Sequence, residues 1–157
     1  MRRMSVCLLL FSAAIFVVPI DQAVHAQAKS KRDATTITPV RALLDAQVEA
    51  WNRGDIEGFM QGYARSPDIT FISDNNFTRG WQPVHDRYQK NYNSREKMGT
   101  LTFSDLETKL LSNDAAVSIG RWHLQLANSQ PHGRFTLIFR RTRQGWRIVH
   151  DHTSSAP

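Results

Sequence analysis

The sequence predicts an α+β domain: a curved antiparallel β-sheet with three N-terminal helices over its concave face. Three observations carry this. Apolar residues recur at helical spacing as far as Tyr92, and after residue 100 the period changes from 3.6 to 2 and stays there. Four strand-length segments then follow one another, separated only by short polar turns. One of those segments slips phase midway, the mark of a β-bulge that bends a sheet.

The first 26 residues carry an address. Arg2 and Arg3 precede an apolar run from Val6 to Val18 broken only by Ser12, and Val24-His25-Ala26 places small residues where a signal peptidase reads. The run is shorter than the roughly 20 residues a membrane span needs. The expectation is a signal peptide over 1–26, a flexible polar mature N-terminus over 27–36 and a folded domain over 37–154. The protein would then be periplasmic or secreted, with no membrane association after cleavage. Cys7 lies inside the signal, so the mature chain would hold no thiol and no disulfide. The formal charge is +6 for the whole chain; losing Arg2, Arg3 and Asp21 leaves +5. The one basic cluster, Arg140, Arg141, Arg143 and Arg147, flanks a predicted hairpin turn and reads as a solvated hairpin end, and no nucleic-acid motif accompanies it.

The elements follow in order. Thr38-Pro39 supplies a capping residue and a proline at the first helical position, and Ile37, Val40, Leu44, Val48 and Trp51 form an apolar stripe that Gly54 ends. Asp55 caps a second, short helix with Ile56, Phe59, Met60 and Tyr63 on its inner side. Asp68 to Ser73 reads as a strand, Asp74 to Arg79 as a polar loop, and Gly80 to Tyr92 as a third helix carrying Trp81, Val84, Tyr88 and Tyr92. Asn93 to Gly99 is a charged connection. The remaining strands are expected near 100–111, 114–126, 132–142 and 146–153. In the first of them Leu101 and Phe103 share a face while Leu106 and Leu110 fall on the other parity, which places the bulge near Ser104-Asp105.

The last strand holds the densest group of titratable side chains, His150, Asp151 and His152. Successive strand residues face opposite ways, so the two histidines project together and Asp151 projects away. If Gln144-Gly145 form a two-residue turn, Phe139 pairs with His150 and Leu137 with His152. Phe135, Leu137, Phe139, Ile148 and both histidines then share the inner face. A three-residue turn would exchange the faces, because a one-residue slip does so.

At this point the order of elements and several short runs resemble the nuclear transport factor 2-like superfamily, shared with SnoaL-like cyclases and ketosteroid isomerases. The residues are Ala50-Trp51-Asn52-Arg53-Gly54-Asp55 with Phe59 and Tyr63, then Asp68-Ile69-Thr70-Phe71, Gly80-Trp81, Asp114-Ala115-Ala116 and Gly145-Trp146 through His152. The terminal run is also similar to the end of the association domain of calcium/calmodulin-dependent protein kinase II. The resemblance implies a cone-shaped fold with a pocket between sheet and helices. It does not carry the isomerase machinery across: the positions of the isomerase tyrosine, general base and second acid fall on Gln47, Ser73 and Phe135. Trp122 falls where the kinase association domain has a pocket arginine.

The expected function is therefore binding of a small, partly apolar molecule in a pocket lined by Trp122, Tyr63, Tyr88, Phe135, Leu137, Phe139 and Asp68. His150 and His152 are the candidate acid–base pair; as hydrogen-bonded pocket residues they would instead be structural. No metal is expected, since zinc takes three or four ligands and His85, His123 and His132 do not obviously converge with the pair. No cofactor is expected either. The alternative is a non-enzymatic association module, and in both readings the chain is expected to form a homodimer.

Overall fold

The helix that opens the domain is longer than its apolar pattern suggests. In the computed structural model, which describes residues 20–156, α1 runs over Ile20–Asn52 with Pro39 inside it. The start expected at Thr38-Pro39 and the segment expected to be flexible, 27–36, both fall within this helix. The reason is compositional: Ala, Gln, Lys and Arg before Thr35 are strong helix formers without an apolar period, so they favour helix while offering no face to bury. A buried stripe runs from Val40 through Leu44, Gln47 and Trp51. Most of the expected signal peptide, residues 1–19, lies outside the described residues.

The Trp51–Asp55 run earns its place through backbone contacts. Trp51 Nε1 donates to the Met98 carbonyl at 2.8 Å, and Asn52 grips Leu101 on both sides, accepting from its N–H at 2.8 Å and donating to its carbonyl at 3.0 Å. The C-terminus of α1 is thereby fixed to the start of a strand far along the chain. Gly54 makes the turn at φ 82°, and Asp55 caps α2 (Ile56–Met60) by accepting from Gly58 N at 2.7 Å. β1 (Thr70–Ser73) follows, and the expected polar loop beyond it is instead a second strand, β2 (Asn76–Arg79). Asp74 at φ 53° makes the tight turn between them; β2 hides from a pattern search because it is polar but for an exposed Phe77. α3 (Trp81–Asn91) and a single turn α4 (Arg95–Met98, in the expected connection) complete the helices.

Four long strands then form most of the sheet: β3 (Thr100–Leu110), β4 (Ala115–Gln125), β5 (His132–Thr142) and β6 (Gly145–Ser155). The order across the curved, unclosed sheet is β2-β1-β6-β5-β4-β3, antiparallel except where β1 lies parallel to β6. The bulge expected near Ser104-Asp105 is present: the β3–β4 register shifts between Ser104 and Glu107, with Asp105 at φ 50°. It returns Leu106 and Leu110 to the core side with Leu101 and Phe103. Opposite Leu106, Gly120 leaves room that a Cβ would take, 2.7 Å from the leucine and 2.7 Å from Phe135. No helix among the described residues is long and apolar enough to cross a membrane.

Candidate functional site

Between the helices and the concave side of the sheet lies a cavity of about 140 Å³. Its depth is aromatic. Trp51 meets Phe59 and Tyr92 edge-on, with ring centroids 5.1 and 4.7 Å apart, and Tyr88 packs against Phe59 at 5.1 Å and Phe71 at 5.9 Å. Leu101, Phe103, Leu124, Phe135 and Leu137 close it from the sheet. Trp122 lines the far wall and donates from Nε1 to the Ser154 carbonyl at 3.1 Å. That contact needs Gly133, where a Cβ would sit 2.8 Å from the indole nitrogen and 1.8 Å from the Ser154 oxygen.

The carboxylate that lines this cavity is Asp151. It is 4 % exposed; its Oδ2 accepts from the Tyr63 hydroxyl at 2.6 Å and its Oδ1 from Thr153 at 2.7 Å. The Tyr88 hydroxyl lies 3.4 Å from that of Tyr63, extending the chain of polar atoms towards α3. Burial raises the Asp151 pKa to about 6 from the usual 3.8, against the pull of the bonds from Tyr63 and Thr153. Burial, then the neighbouring Asp151 charge, holds both phenols well above their usual range, so Tyr63 and Tyr88 stay protonated as donors. Gln47, buried and bonded through Nε2 to the Phe59 carbonyl at 3.0 Å, completes the inner wall.

This reverses the expected assignment of faces on β6. The two-residue turn is Arg143-Gln144, with Thr142 paired to Gly145, which leaves the parity near the turn as expected: Phe139 lies opposite Ile148 and both face inward. A bulge then intervenes. Phe139 pairs with Ile148 but Ile138 pairs with His150, so Val149 is an extra residue and every side chain beyond it changes face. Asp151 turns into the cavity. His150 and His152 turn to the outer face, where His150 Nδ1 lies 2.6 Å from the Thr70 hydroxyl and His152 is exposed. Burial and the charge of His152 hold the His150 pKa below the usual value. The proposed acid–base histidines are thus not cavity groups.

Of the other expected lining residues, Trp122, Tyr63, Tyr88, Phe135 and Leu137 do line the cavity. Phe139 is fully buried in the core and does not line the cavity. Asp68 is exposed at the entry to β1, where it folds back on Ser66 in a turn. Gln47, Ser73 and Phe135, the positions where the isomerase pattern was lost, all border the cavity. Among the described residues no group of three or more His, Cys, Asp or Glu side chains is placed to hold a metal ion.

Helices gathered on one side of a curved, unclosed six-stranded sheet, with an aromatic cavity between them, define a nuclear transport factor 2-like domain. The chain belongs to the SnoaL-like domain family, whose pattern matches residues 40–157. It is 40 % identical to a nuclear transport factor 2-like protein of unknown function from Shewanella oneidensis, with a TM-score of 0.72 over 75 % of this chain and 98 % of that one. At 21 % identity and a TM-score of 0.61, it shares its fold with a putative calcium/calmodulin-dependent protein kinase II association domain from Xanthomonas campestris, over 75 % and 86 % of the two chains. At 13 % identity and a TM-score of 0.65, it does so with a putative aromatic ring hydroxylase from Novosphingobium aromaticivorans, over 77 % and 89 %. No curated protein matches. The aromatic cavity of this family fold has room for a small molecule.

Proposed function

We propose that this domain binds a small, partly apolar molecule in the aromatic cavity and that Asp151 exchanges a proton with it. The observation that supports this is a single buried carboxylate, hydrogen-bonded by Tyr63 and Thr153, whose pKa of about 6 suits it to take a proton near neutral pH and return it. Each carboxylate oxygen accepts one bond within the protein and keeps a second acceptor site for a ligand proton. The Tyr88 hydroxyl, beside that of Tyr63, supplies a donor for an oxygen on which negative charge develops. Proton abstraction beside a carbonyl is the reaction class that uses both groups. Exchange of α-hydrogens for deuterium in small cyclic ketones such as cyclohexanone, followed by proton NMR, tests it. The wild-type chain should accelerate exchange with an inflection near pH 6 and Asp151→Asn should not; wild-type exchange no faster than buffer defeats the acid–base reading.

The N-terminal pattern supports export, with the mature chain beginning at Gln27. Mass spectrometry of the periplasmic fraction should find that terminus, whereas chains retaining residues 1–26 in the cytosol would contradict it.

A second reading concerns assembly rather than chemistry. The outer sheet face carries Ile119, 45 % exposed, beside the half-buried Val117, Ile138 and Val149. Such a face favours a homodimer, and it leaves the cavity on the opposite side of the sheet free. Light scattering that gives a monomer at micromolar concentration would remove this reading.

A further inference from the structure

The cavity has a second polar end that the acid–base reading does not use. On α3, Arg87 and Asn91 lie one helical turn apart, and Ser73 and Ser155 line the same cavity from β1 and β6. Asn91 and Ser155 are exposed, so the cavity opens to solvent at this end. Arg87 is half-buried and lies over the Phe71 ring, its guanidinium carbon 5.4 Å from the centroid. Other arginines have protein partners: Arg121 pairs with Asp105 at 2.9 Å, Arg140 with Asp114 at 2.8 Å, and Arg95 donates to the Trp51 and Gly99 carbonyls. Among the described residues no acidic side chain pairs with Arg87. A half-buried cation on the wall of an aromatic cavity, with a planar fork of free donors, is suited to one oxyanion.

We infer that the ligand is an apolar molecule with a single anionic end, a carboxylate on a body about the size of one six-membered ring, and that Arg87 selects it by binding that carboxylate at the cavity mouth. The inference rests on the reading of the cavity as a ligand site and names the class of ligand. Size follows from volume: about 140 Å³ is close to the roughly 150 Å³ that holds one benzene ring. Orientation follows from charge. Asp151 at the inner end repels a second anion while Arg87 at the outer end attracts it, so the ligand enters apolar end first. Asn91, one turn along α3 from Arg87, adds a neutral donor for the same oxygens.

The test compares benzoate with its neutral isostere benzamide, using NMR titration of the full chain at pH 7.5. Wild-type protein should bind benzoate roughly tenfold more tightly than benzamide, as expected for a charge-assisted bond to a partly buried guanidinium. Arg87→Gln should lose that preference while keeping its affinity for benzamide, and Arg87→Lys should keep part of it. Asp151→Asn, which abolishes the proposed proton transfer, should keep the preference or increase it. Equal affinities in wild-type protein, or a preference that survives Arg87→Gln, overturn the anion anchor and leave the cavity reading standing. Failure of both probes to bind the wild-type chain overturns both. Thermal melting of each variant guards against loss of fold, and Arg87→Lys carries the test if Arg87→Gln does not fold.

Discussion

Asp151 occupies a position where a neutral side chain would have the lower free energy. Its folded pKa of about 6 lies above the ordinary 3.8, so between those values the folded chain holds a proton that the unfolded chain has released. Stability from this group is therefore greatest below pH 4, falls as pH rises through the window, and is lower by about 3 kcal/mol once the carboxylate is ionised in both states. Asp151→Asn removes that dependence. In urea titrations from pH 4 to 8, the variant should gain on the wild type as pH rises and exceed it at pH 7.5 by up to about 3 kcal/mol, less whatever the weaker acceptor for Tyr63 gives back. A constant difference across the range would show that the carboxylate is not strained by burial. Retaining an acid at such a cost makes sense where its charge is used. This residue was one that the sequence concealed. Tyr63 and Tyr88 could be picked as cavity phenols because they recur on helical apolar stripes, whereas Asp151 reads as the outward member of an alternating strand. Arg87 was hidden too, because it sits one position outside the apolar stripe of α3 and resembles any solvated helix charge.

Two bulges of the same kind show at the level of elements why one was legible and the other was not. In β3 the slip moves leucines, and Leu106 and Leu110 on the wrong parity announce the extra residue at once. In β6 the slip comes after Ile148, where the residues that change face are His150, Asp151 and His152, none of which declares a side by its polarity. Burial alone decides, and burial was not visible in a linear pattern. The helical elements were more readable because their caps are chemical: Asp55 and Gly54 mark the α1–α2 junction in sequence and make it in the structure. Asn52 tests how far that junction organises the domain. It is half-buried and supplies both a donor and an acceptor to the Leu101 backbone, joining residues that are 49 apart in sequence. Asn52→Ala leaves the Leu101 N–H and carbonyl without their partner and should cost about 2 kcal/mol, read as a lower urea midpoint with an unchanged slope. A loss within a few tenths of a kcal/mol would mean that water replaces the clamp and that Trp51 and Arg95 hold the junction alone.

At the scale of the whole molecule, the curved sheet has two faces that are covered differently. The concave face is used up by α1, α2 and α3 around the cavity; the convex one is open, and across β4, β5 and β6 it carries Val117, Ile119, Ile138 and Val149 between arginines. The bulge at Val149 contributes here as well, since the slip that sends Asp151 inward sends His150 and His152 out onto this face. Burial holds the His150 pKa below the ordinary value, so it is neutral at pH 7 and adds no charge to the stripe. A second copy packing sheet to sheet would cover these side chains, and the two-fold arrangement repeats one apolar stripe against itself. Ile119 is the sharpest probe because it is the most exposed of the apolar residues in the stripe across β4, β5 and β6, at 45 %. Ile119→Arg should turn a dimer into a monomer by light scattering at micromolar concentration while leaving the melting curve cooperative, because its side chain is not part of the core. Leu111→Arg, an equal change at a 61 % exposed residue in the β3–β4 turn, should leave the dimer intact. If both variants scatter as the wild type does, the association surface is not the convex face; if both dissociate, the effect is one of net charge rather than of this stripe.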